Sequence, residues 1–410
     1  MNLAGFIAKR IAFTKEKSFS RFIIRLATAA TVLSVAVMIV ALAITNGFQY
    51  TISQKIFSFL GHLRVQHYEP GKLSNAEEMA IAKNDTVAGL IAQHPGVASV
   101  NSFATKSAIL KTNETIEGVL FKGVEKNYRF AALQQFLTSG RWINFPDSGY
   151  SNEIVLSAYT AGQLKLKVND QVLIYFIPKD GSSIRARKLT LTGIYKTGIE
   201  EYDKFIALGD LKLIQRLNGW ASNEIGGYEV YLKDYHTLDK VNDELFNALP
   251  PEWTSKSIKE INPNIFDWLN LQDTTIVLVL VIMTVVAVLN LITCLIILVL
   301  ERTRMIGILK ALGSPNLSIQ SIFLYQGAII TFTGILLGDI VAWLLIWIQQ
   351  RYGLIKLQEE MYYISKAEMR PEWWHFVLVD AITFVVCLLI LIIPTLIIRR
   401  IQPVRAIQFR

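Results

Sequence analysis

The sequence predicts an α-helical membrane protein with four transmembrane helices and a large extracytoplasmic mixed α/β domain inserted between helices 1 and 2. Composition is the first reason, because 52% of the 410 residues are hydrophobic, which is too apolar for an ordinary soluble domain. The second is four apolar runs, each long enough to cross a bilayer as a helix of about 20 residues. The third is the segment between the first two runs, which at roughly 200 residues is large enough to bury its own core.

We place the four transmembrane helices at residues 26–47, 273–300, 318–348 and 376–398. Basic side chains concentrate in three segments outside them, which are residues 1–25, 301–315 and 399–410. Their only acids are Glu16 and Glu301, and their bases are Lys9, Arg10, Lys15, Lys17, Arg21, Arg25, Arg302, Arg304, Lys310, Arg399, Arg400, Arg405 and Arg410. Because basic loops stay in the cytoplasm, both termini are predicted to be cytoplasmic, and the segment 349–375 to be an outer loop. The net charge of +8 is therefore a topology signal and not a nucleic-acid-binding surface.

The N-terminal segment, residues 1–25, mixes apolar and basic residues as an amphipathic helix in the cytoplasmic interface does. In transmembrane helix 1, Ala41-Leu42-Ala43 has the pattern of a signal-cleavage site. We predict retention as an anchor, because the apolar run is longer than a signal's hydrophobic core, with cleavage as the alternative. Asn46-Gly47 is expected to loosen this helix. Beyond it, apolar residues at helical spacing predict a stalk that ends at Gly61.

Residues 48–272 are predicted to form the extracytoplasmic domain with its stalks. Strand-like alternation occurs at residues 63–67, 97–110, 115–124, 153–156, 172–177, 189–195, 204–208 and 228–232. Helical patterns fit between them at residues 77–93, 158–165, 210–217 and 237–249. We expect two subdomains, because the loop at residues 140–150 separates the strand clusters. Both cysteines, Cys294 and Cys387, fall in transmembrane helices, so the domain is predicted to need no disulfide.

Transmembrane helix 2 is predicted to be part of a longer rod. Neither proline nor glycine occurs between Pro263 and Gly307, which favours a continuous helix of about 60 Å, roughly twice the hydrocarbon thickness. Such a rod would carry a push at the turn 301–315 to the outer domain. An ordinary transmembrane helix with a break near Asp273 is the alternative.

The turn 301–315 reads Glu-Arg-Thr-Arg-Met-Ile-Gly-Ile-Leu-Lys-Ala-Leu-Gly-Ser-Pro. Its apolar residues predict a short helix that lies against another surface, and Gly313 and Pro315 end that helix. The pattern resembles the signature of the FtsX-like permease superfamily, the membrane subunits of ABC transporters that include the lipoprotein-releasing LolC/LolE and MacB types. The resemblance implies a coupling helix that inserts into a groove of a separate ATPase subunit; a membrane turn without a partner is the alternative. The implied coupling residues are Glu301, Arg302, Arg304, Ile306, Gly307, Lys310, Ala311 and Gly313.

Ile44-Thr45-Asn46-Gly47-Phe48 resembles the lipoprotein-releasing branch in particular. Tyr362-Tyr363 and the final Pro403-Val404-Arg405-Ala406 also match the family. Turn residues between two strand patterns at 172–195 predict a protruding hairpin. The resemblance makes it the hook that holds a soluble carrier, through Pro178, Lys179, Asp180, Gly181, Ser182 and Arg185; an ordinary surface hairpin is the alternative. It also implies that acyl chains enter between helices 1 and 2 of paired permeases, with Met38, Ile39, Leu278 and Ile282 as candidate lining residues.

Transmembrane helix 3 contains Gly334 and Gly338, whose spacing allows another helix to approach closely. Asp339 follows them, and we expect a packing or hydrogen-bonding role for it. Trp373 and Trp374 are typical of an aromatic belt at the outer interface.

The sequence contains no Walker A loop, no HExxH or CxxC motif and no nucleophile elbow. We therefore predict a non-catalytic subunit without a metal or cofactor of its own, whose energy comes from another polypeptide. The resemblance implies that this polypeptide is a partner ATPase dimer that binds ATP and Mg. The resemblance implies a subunit that extracts lipoproteins from the outer leaflet of the bacterial inner membrane and passes them to a periplasmic carrier. A MacB-like efflux permease and an FtsX-like signalling subunit that activates a wall hydrolase are the alternatives. Whether the second permease is the same chain or a paralogue stays open.

Overall fold

The computed structural model describes residues 19–69, 79–112, 114–177 and 184–395. They divide into two compact units. The helical unit comprises residues 19–50, 268–356 and 366–395, and the α/β unit comprises residues 51–267 and 357–365. The predicted interfacial helix at residues 1–25 and the tail at 399–410 lie largely or wholly outside the described residues.

The helices, in chain order, are α1 Phe19–Leu60, α2 Asp85–Gln93, α3 Phe130–Leu133, α4 Ala158–Gln163, α5 Glu200–Phe205, α6 Leu211–Asn218, α7 Leu238–Ala248, α8 Ile258–Ile261, α9 Pro263–Glu301, α10 Thr303–Ala311, α11 Asn316–Tyr352, α12 Glu359–Tyr362, α13 Trp373–Ile390 and α14 Ile392–Thr395. The strands are β1 Leu63–His67, β2 Ile81–Ala82, β3 Val97–Lys111, β4 Ile116–Val124, β5 Leu137–Gly140, β6 Glu153–Ser157, β7 Gln171–Phe176, β8 Arg185–Tyr195, β9 Ile206–Asp210, β10 Glu224–Ile225, β11 Gly227–Leu232 and β12 Trp253–Ser257. Short 3₁₀ turns occupy Gln134–Phe136 and Tyr235–Thr237.

Four helices of the described part of the chain are long and apolar enough to cross a membrane, namely α1, α9, α11 and α13. This confirms the four predicted helices. The last one is shorter than expected, because α13 ends at Ile390 and α14 follows. Position 394 is proline, which has no amide hydrogen to donate to the carbonyl of Ile390, so the regular helix ends there.

Helix α1 runs without a break through Asn46 and Gly47, so the expectation that this pair loosens the helix is wrong. Packing explains why this position is glycine. A side chain at this position would overlap the backbone carbonyl of Glu368 in the outer loop. Glycine is therefore required because another segment of the helical unit approaches the helix backbone here.

The α/β unit contains one ten-stranded sheet in which six strands close a ring. The ring follows the pairings β3–β4, β4–β9, β9–β6, β6–β8, β8–β7 and β7–β3, of which β4–β9 and β6–β8 are parallel. Strands β11, β1 and β12 extend the sheet from β3, and β5 pairs with β8. Because strands from both sides of the loop 140–150 share this sheet, the expectation of two subdomains is wrong.

The core of the ring is closely packed around Phe121. Its ring meets that of Phe176 edge to face, with centroids 5.4 Å apart. A side chain at position 209 on β9 would overlap the Phe121 ring, so Gly209 makes room for it. A core of interlocking aromatic rings leaves no space for additional atoms.

Most predicted strands are present with small shifts of their ends, and two differences have local causes. Asn84 caps α2 by accepting hydrogen bonds from the amides of Thr86 (2.9 Å) and Val87 (3.2 Å). The helix therefore begins at Asp85 and not at residue 77. Similarly, α5 occupies Glu200–Phe205, so the strand expected from residue 204 begins at Ile206. Strand β12 was not predicted.

Candidate coupling site

The turn between α9 and α11 contains the short helix α10. Helix α9 is continuous over 39 residues from Pro263 to Glu301, about 58 Å at 1.5 Å per residue. Arg302 leaves helical geometry with φ −100° and ψ 16°. The rod is therefore continuous past Asp273, as predicted, but ends at Glu301, and α10 is a separate helix.

One face of α10 is buried in the helical unit. Ile306 is fully buried in an apolar cluster that includes Leu298 of α9 and Ile319 and Phe323 of α11. Gly307 is buried beside it. In this structure these two predicted coupling residues hold α10 against its own chain, so they are not available to a partner.

The opposite face of α10 is exposed. Arg304, Ile308 and Leu312 recur at intervals of four residues and so lie on one side of the helix. The exposed fractions of the side chains are 45% for Ile308 and 78% for Leu312. Among the other predicted coupling residues Glu301, Ala311 and Gly313 are exposed, while Arg302 and Lys310 are half-buried. We call Arg304, Ile308, Ala311 and Leu312 the outer face of α10.

The C-terminal end of α10 has a defined geometry. Gly313 has φ +86°, its amide donates to the carbonyl of Lys310 (3.0 Å), and the amide of Ser314 donates to Leu309 (3.0 Å). This pair of bonds is the Schellman arrangement, which glycine allows because it tolerates a positive φ. Pro315 is then the N-cap residue of α11. The predicted stop at Gly313 and Pro315 is confirmed, and the turn is held at both ends.

Two basic side chains of the turn, Arg302 and Lys310, are partly buried. Burial lowers the pKa of Lys310. The Nε atom of Arg302 is buried without a hydrogen-bond partner in the part of the chain that the structure describes. Buried polar atoms normally have a partner, so this turn has hydrogen-bonding capacity that the described residues leave unused.

Gly334 and Gly338 of α11 lie directly against α1. A Cβ atom at these positions would stand 2.7 Å from Cβ of Thr31 and 2.8 Å from Cβ of Val35, respectively. Such distances are shorter than any normal carbon contact, so the helices approach each other at the place where the small-residue spacing predicts it. Helix α9 also contacts α1, since Asn290 donates its side-chain amide to the carbonyl of Ala27 (3.0 Å).

The four candidate lipid-lining residues do not lie together. Met38 and Ile39 are buried in a cluster with Ile335 and Ala342 of α11, so within this single chain they pack against α11, and their lining role between paired permeases stays a prediction. Leu278 and Ile282 have exposed fractions of 59% and 49% on α9. The helices are apolar on all sides, so the sequence contained no signal for which side packs inward.

The predicted carrier-binding hairpin is described only at its base. Residues 178–183, which include Pro178, Lys179, Asp180, Gly181 and Ser182, lie outside the described residues. Strand β7 pairs with β8 and also with β3, so the base of the hairpin belongs to the closed ring. Arg185 donates to the backbone carbonyl of Leu217 (2.8 Å) and is thereby tied to its own domain.

A buried polar cluster at the end of α1 was missed by the sequence analysis. Lys122 is 2% exposed and Glu229 is fully buried. The Lys122 ammonium donates to Glu229 Oε2 (2.8 Å), to Tyr128 Oη (3.0 Å) and to the carbonyl of Phe59 (2.6 Å) in the last turn of α1. A cation is favoured at a helix C-terminus. We call Lys122, Glu229, Tyr128 and the end of α1 the buried joint.

Titratable groups around the buried joint are strongly perturbed by their surroundings. Burial, and the charge of Glu229, raise the pKa of Tyr128 well above its ordinary value. Burial, and the nearby Arg129 cation, lower the pKa of His62 to about 4. The His62 ring stacks on Phe57 with centroids 4.4 Å apart, and its Nδ1 accepts from the Leu232 amide (3.2 Å). His62 is therefore a neutral packing residue at neutral pH. Among the described residues no group of three metal-binding side chains occurs.

A second missed contact joins α1 to the loop that precedes α13. The side-chain amide of Asn46 donates to the carbonyl of Arg370 and to Glu372 Oε1, both at 3.0 Å. Hydrogen bonds from Asn46 and Trp374 lower the pKa of Glu372. The Arg370 guanidinium lies 3.7 Å from the centroid of the Tyr50 ring. Together with the close approach of the outer loop to Gly47, these contacts show that Asn46 and Gly47 hold the outer loop against α1.

Two family models match this chain. The model described as MacB-like periplasmic core domain matches residues 26–247, and the model described as FtsX-like permease C-terminal matches residues 277–403. The two matches together include all four apolar helices or parts of them and most of the α/β unit.

Curated proteins similar to this chain are named as parts of lipoprotein-releasing systems. The transmembrane protein LolC of Xylella fastidiosa strain 9a5c is 23% identical, and the alignment covers 96% of both chains. LolE of Haemophilus influenzae is 23% identical over the full length of both chains. LolC of Neisseria meningitidis serogroup B is 21% identical, with 96% of both chains covered.

Solved structures with some similarity are extracytoplasmic domains of transporters. The extracellular domain of the noncanonic ABC-type transporter YknZ from Gram-positive bacteria covers 48% of this chain and 99% of its own, with 14% identity and a TM-score of 0.33. The periplasmic region of MacB from Actinobacillus actinomycetemcomitans covers 50% of this chain and 91% of its own, with 12% identity and a TM-score of 0.35.

Proposed function

Because this chain belongs to the family of FtsX-like permeases with a MacB-like periplasmic core domain, we propose that it is an ABC permease of the lipoprotein-releasing type. It extracts lipid-anchored lipoproteins from the outer leaflet of the bacterial inner membrane and passes them to a periplasmic carrier. Similarity along almost the whole chain to proteins named LolC and LolE supports this function. The energy comes from ATP and Mg bound by a separate ATPase dimer in the cytoplasm.

The observation that carries the proposal is the geometry of α10. The helix is held on the inside by buried Ile306 and at its end by Gly313, and it presents an exposed outer face with Arg304, Ile308 and Leu312. A rigid helix with one apolar and basic face suits insertion into a groove of a partner protein. The partner is the ATPase, and the outer face replaces Ile306 and Gly307 as the contacting surface.

Motion of α10 reaches the outer side through α9. Helix α10 follows α9 across a single non-helical residue, Arg302, and α9 is continuous from Pro263 to Glu301. Because a helix is stiff along its axis, displacement at Glu301 is transmitted to the first turn of α9 with little loss. The permease pairs with a second copy or a paralogue, and the acyl chains of the cargo enter along exposed apolar residues of α9 that include Leu278 and Ile282.

Single substitutions on the outer face test the coupling. Leu312→Asp places a charge on a side chain that is 78% exposed, so the fold tolerates it while an apolar groove does not. We expect the ATPase to be lost, or its ATP hydrolysis no longer to respond to the permease, when the complex is purified in detergent. Ile116→Asp, at an exposed position of the α/β unit, is the matched control. Retention of a normally stimulated ATPase by Leu312→Asp would refute the coupling assignment.

Proteins that accompany the purified chain test the cargo. Acylated lipoproteins identified by mass spectrometry, together with an ATPase, support lipoprotein release. A channel protein of the outer membrane in their place indicates a MacB-like efflux permease, and a cell-wall hydrolase indicates FtsX-like signalling. Mixed tagged copies of this chain distinguish pairing with itself from pairing with a paralogue.

A further inference from the structure

The segment Leu357–Ser365 follows α11 in the sequence and precedes α13, yet it packs with the α/β unit. It is a short hairpin-like excursion, closed by the amide of Leu357, which donates to the carbonyl of Ser365 (3.0 Å). Ile364 is its well-buried apolar side chain, at 3% exposed. Met361 and Tyr362 on the same segment are 65% and 41% exposed. The attachment therefore depends on polar contacts more than on a large apolar surface.

One polar contact is made by Glu359. Its carboxylate forms an ion pair with Lys196, which follows β8. The side chains are 28% and 50% exposed, respectively. Beside them Gly198 has φ +77°, and a Cβ atom there would stand 2.5 Å from Glu359 Oε1. The glycine lets the carboxylate lie directly on the backbone between β8 and α5.

Further polar contacts are made by Tyr363. Its hydroxyl donates to Glu201 Oε1 (3.3 Å), and its backbone carbonyl accepts from the ammonium of Lys55 on α1 (2.7 Å). Burial, and the neighbouring Glu201 carboxylate, raise the pKa of Tyr363 to about 12, so the hydroxyl keeps its proton as a donor. Tyr363 has φ +59°, a conformation that a bulky residue adopts only when its surroundings hold it there.

We propose that Leu357–Ser365 is a releasable clasp, a segment that leaves the α/β unit as one piece while the ten-stranded sheet stays folded. Its ion pair is partly exposed to solvent, and such pairs contribute little each. Segments with few buried apolar contacts open at much lower free energy than a core sheet. The attached clasp also forms one wall of a cleft of about 730 Å³, and release removes that wall. Gln358 and Glu359 of the clasp form one side of it, and Tyr159, Lys196 and Lys204 form the other.

The clasp lies in the segment of chain between α11 and α13. The chain continues from Leu357 back into α11 and from Ser365 towards α13. While the clasp is attached, these two helices have a connection to the α/β unit in addition to α1 and α9. Release removes that connection without unfolding either unit. This inference concerns the protein's own opening and does not depend on which cargo the protein moves.

Hydrogen exchange of the full chain in lipid nanodiscs tests the clasp. We expect the amides of 357–365 to exchange at least about tenfold faster than those of β3 and β4. This exchange should occur through local opening of the segment while the sheet stays folded. Glu359→Gln should accelerate exchange in 357–365 a further two- to fivefold, the effect expected from a partly exposed ion pair. The exchange of β3 and β4 should not change. The charge-swapped variant Lys196→Glu/Glu359→Lys should slow the exchange again.

The matched control is Glu368→Gln, which removes an ion pair with Lys366 on the same loop but outside the clasp. It should leave the exchange of 357–365 unchanged. The proposal is wrong if 357–365 exchanges in step with β3 and β4, because the segment is then part of the cooperative core. It is equally wrong if Glu359→Gln has no effect on 357–365, or accelerates the sheet by the same factor.

Discussion

Replacing Lys122 by methionine removes the ammonium group from the buried joint while keeping most of the side-chain volume. Three acceptors lose the ammonium as a donor: Glu229 Oε2, Tyr128 Oη and the carbonyl of Phe59. The Tyr128 hydroxyl stays within 3.3 Å of Glu229 Oε2 and 3.4 Å of the Phe59 carbonyl, but it carries no charge. The carboxylate of Glu229 is fully buried, and water cannot replace the lost partner. Its remaining cation is Arg64, whose Nη2 lies 3.5 Å from Glu229 Oε1.

Breaking a buried ion pair by removing one partner costs about 3–5 kcal/mol, because the remaining charge is left uncompensated. Since Arg64 still lies near Glu229, we expect the lower end, about 3 kcal/mol. For a domain of this size that corresponds to a fall of roughly 6–12 °C in Tm. Replacing both partners by apolar residues, as in Lys122→Met/Glu229→Leu, should recover part of the loss, because the fully buried carboxylate is then absent. The recovery is not complete, since Arg64 loses its ion pair with Glu229.

Thermal unfolding of the full chain in detergent, followed by circular dichroism and tryptophan fluorescence, measures these changes. Lys126→Met is the matched control, since its pair with Asp147 is exposed (71% and 97%) and should contribute at most about 1 kcal/mol. A loss of less than about 1 kcal/mol for Lys122→Met would refute the reasoning, since the joint would then contribute no more than a surface pair. A double variant as unstable as the single one would show that the charge on Glu229 is not the cause.

Two further predictions concern helix packing and pH. Gly338→Leu forces a side chain into the space of Val35 and should destabilise the helical unit by about 1–3 kcal/mol. Thermal unfolding in detergent checks this, with the exposed neighbour Leu337→Ala as control. The pKa of His62 is lowered to about 4 in the folded protein, so protonation favours the unfolded chain as pH falls from 6.5 towards 4. Stability at pH 5 should be about 2 kcal/mol lower than at pH 8 on this account, and His62→Asn should remove that difference.

The elements that the sequence predicted well are those with local causes. A transmembrane helix requires about 20 apolar residues in succession, and a half-buried strand requires alternation, so each can be recognised within its own segment. The end of α10 at Gly313 is equally local, since a positive φ at the end of a helix calls for glycine. The continuity of α9 past Asp273 followed from the absence of proline and glycine between Pro263 and Glu301.

The candidate site was predicted in position but not in orientation. The turn 301–315 does contain a short helix, yet Ile306 faces the chain's own core and Leu312 faces outward. Met38 and Ile39 are buried while Leu278 and Ile282 are exposed. The buried and the exposed residues in both comparisons are apolar. Residue type alone therefore does not indicate which apolar side chain packs against a neighbouring helix.

What the sequence by itself determined about this protein is the number of apolar helices, the existence of a large domain between the first two, and the short helix in the basic turn. Only the tertiary structure decided the contacts between distant segments. Lys122 meets Glu229 across 107 residues, and Asn46 meets Glu372 across 326. A local pattern records the conformation of a few neighbouring residues, whereas these pairs exist because the fold buries them at the same place, where each charge or amide must find a partner.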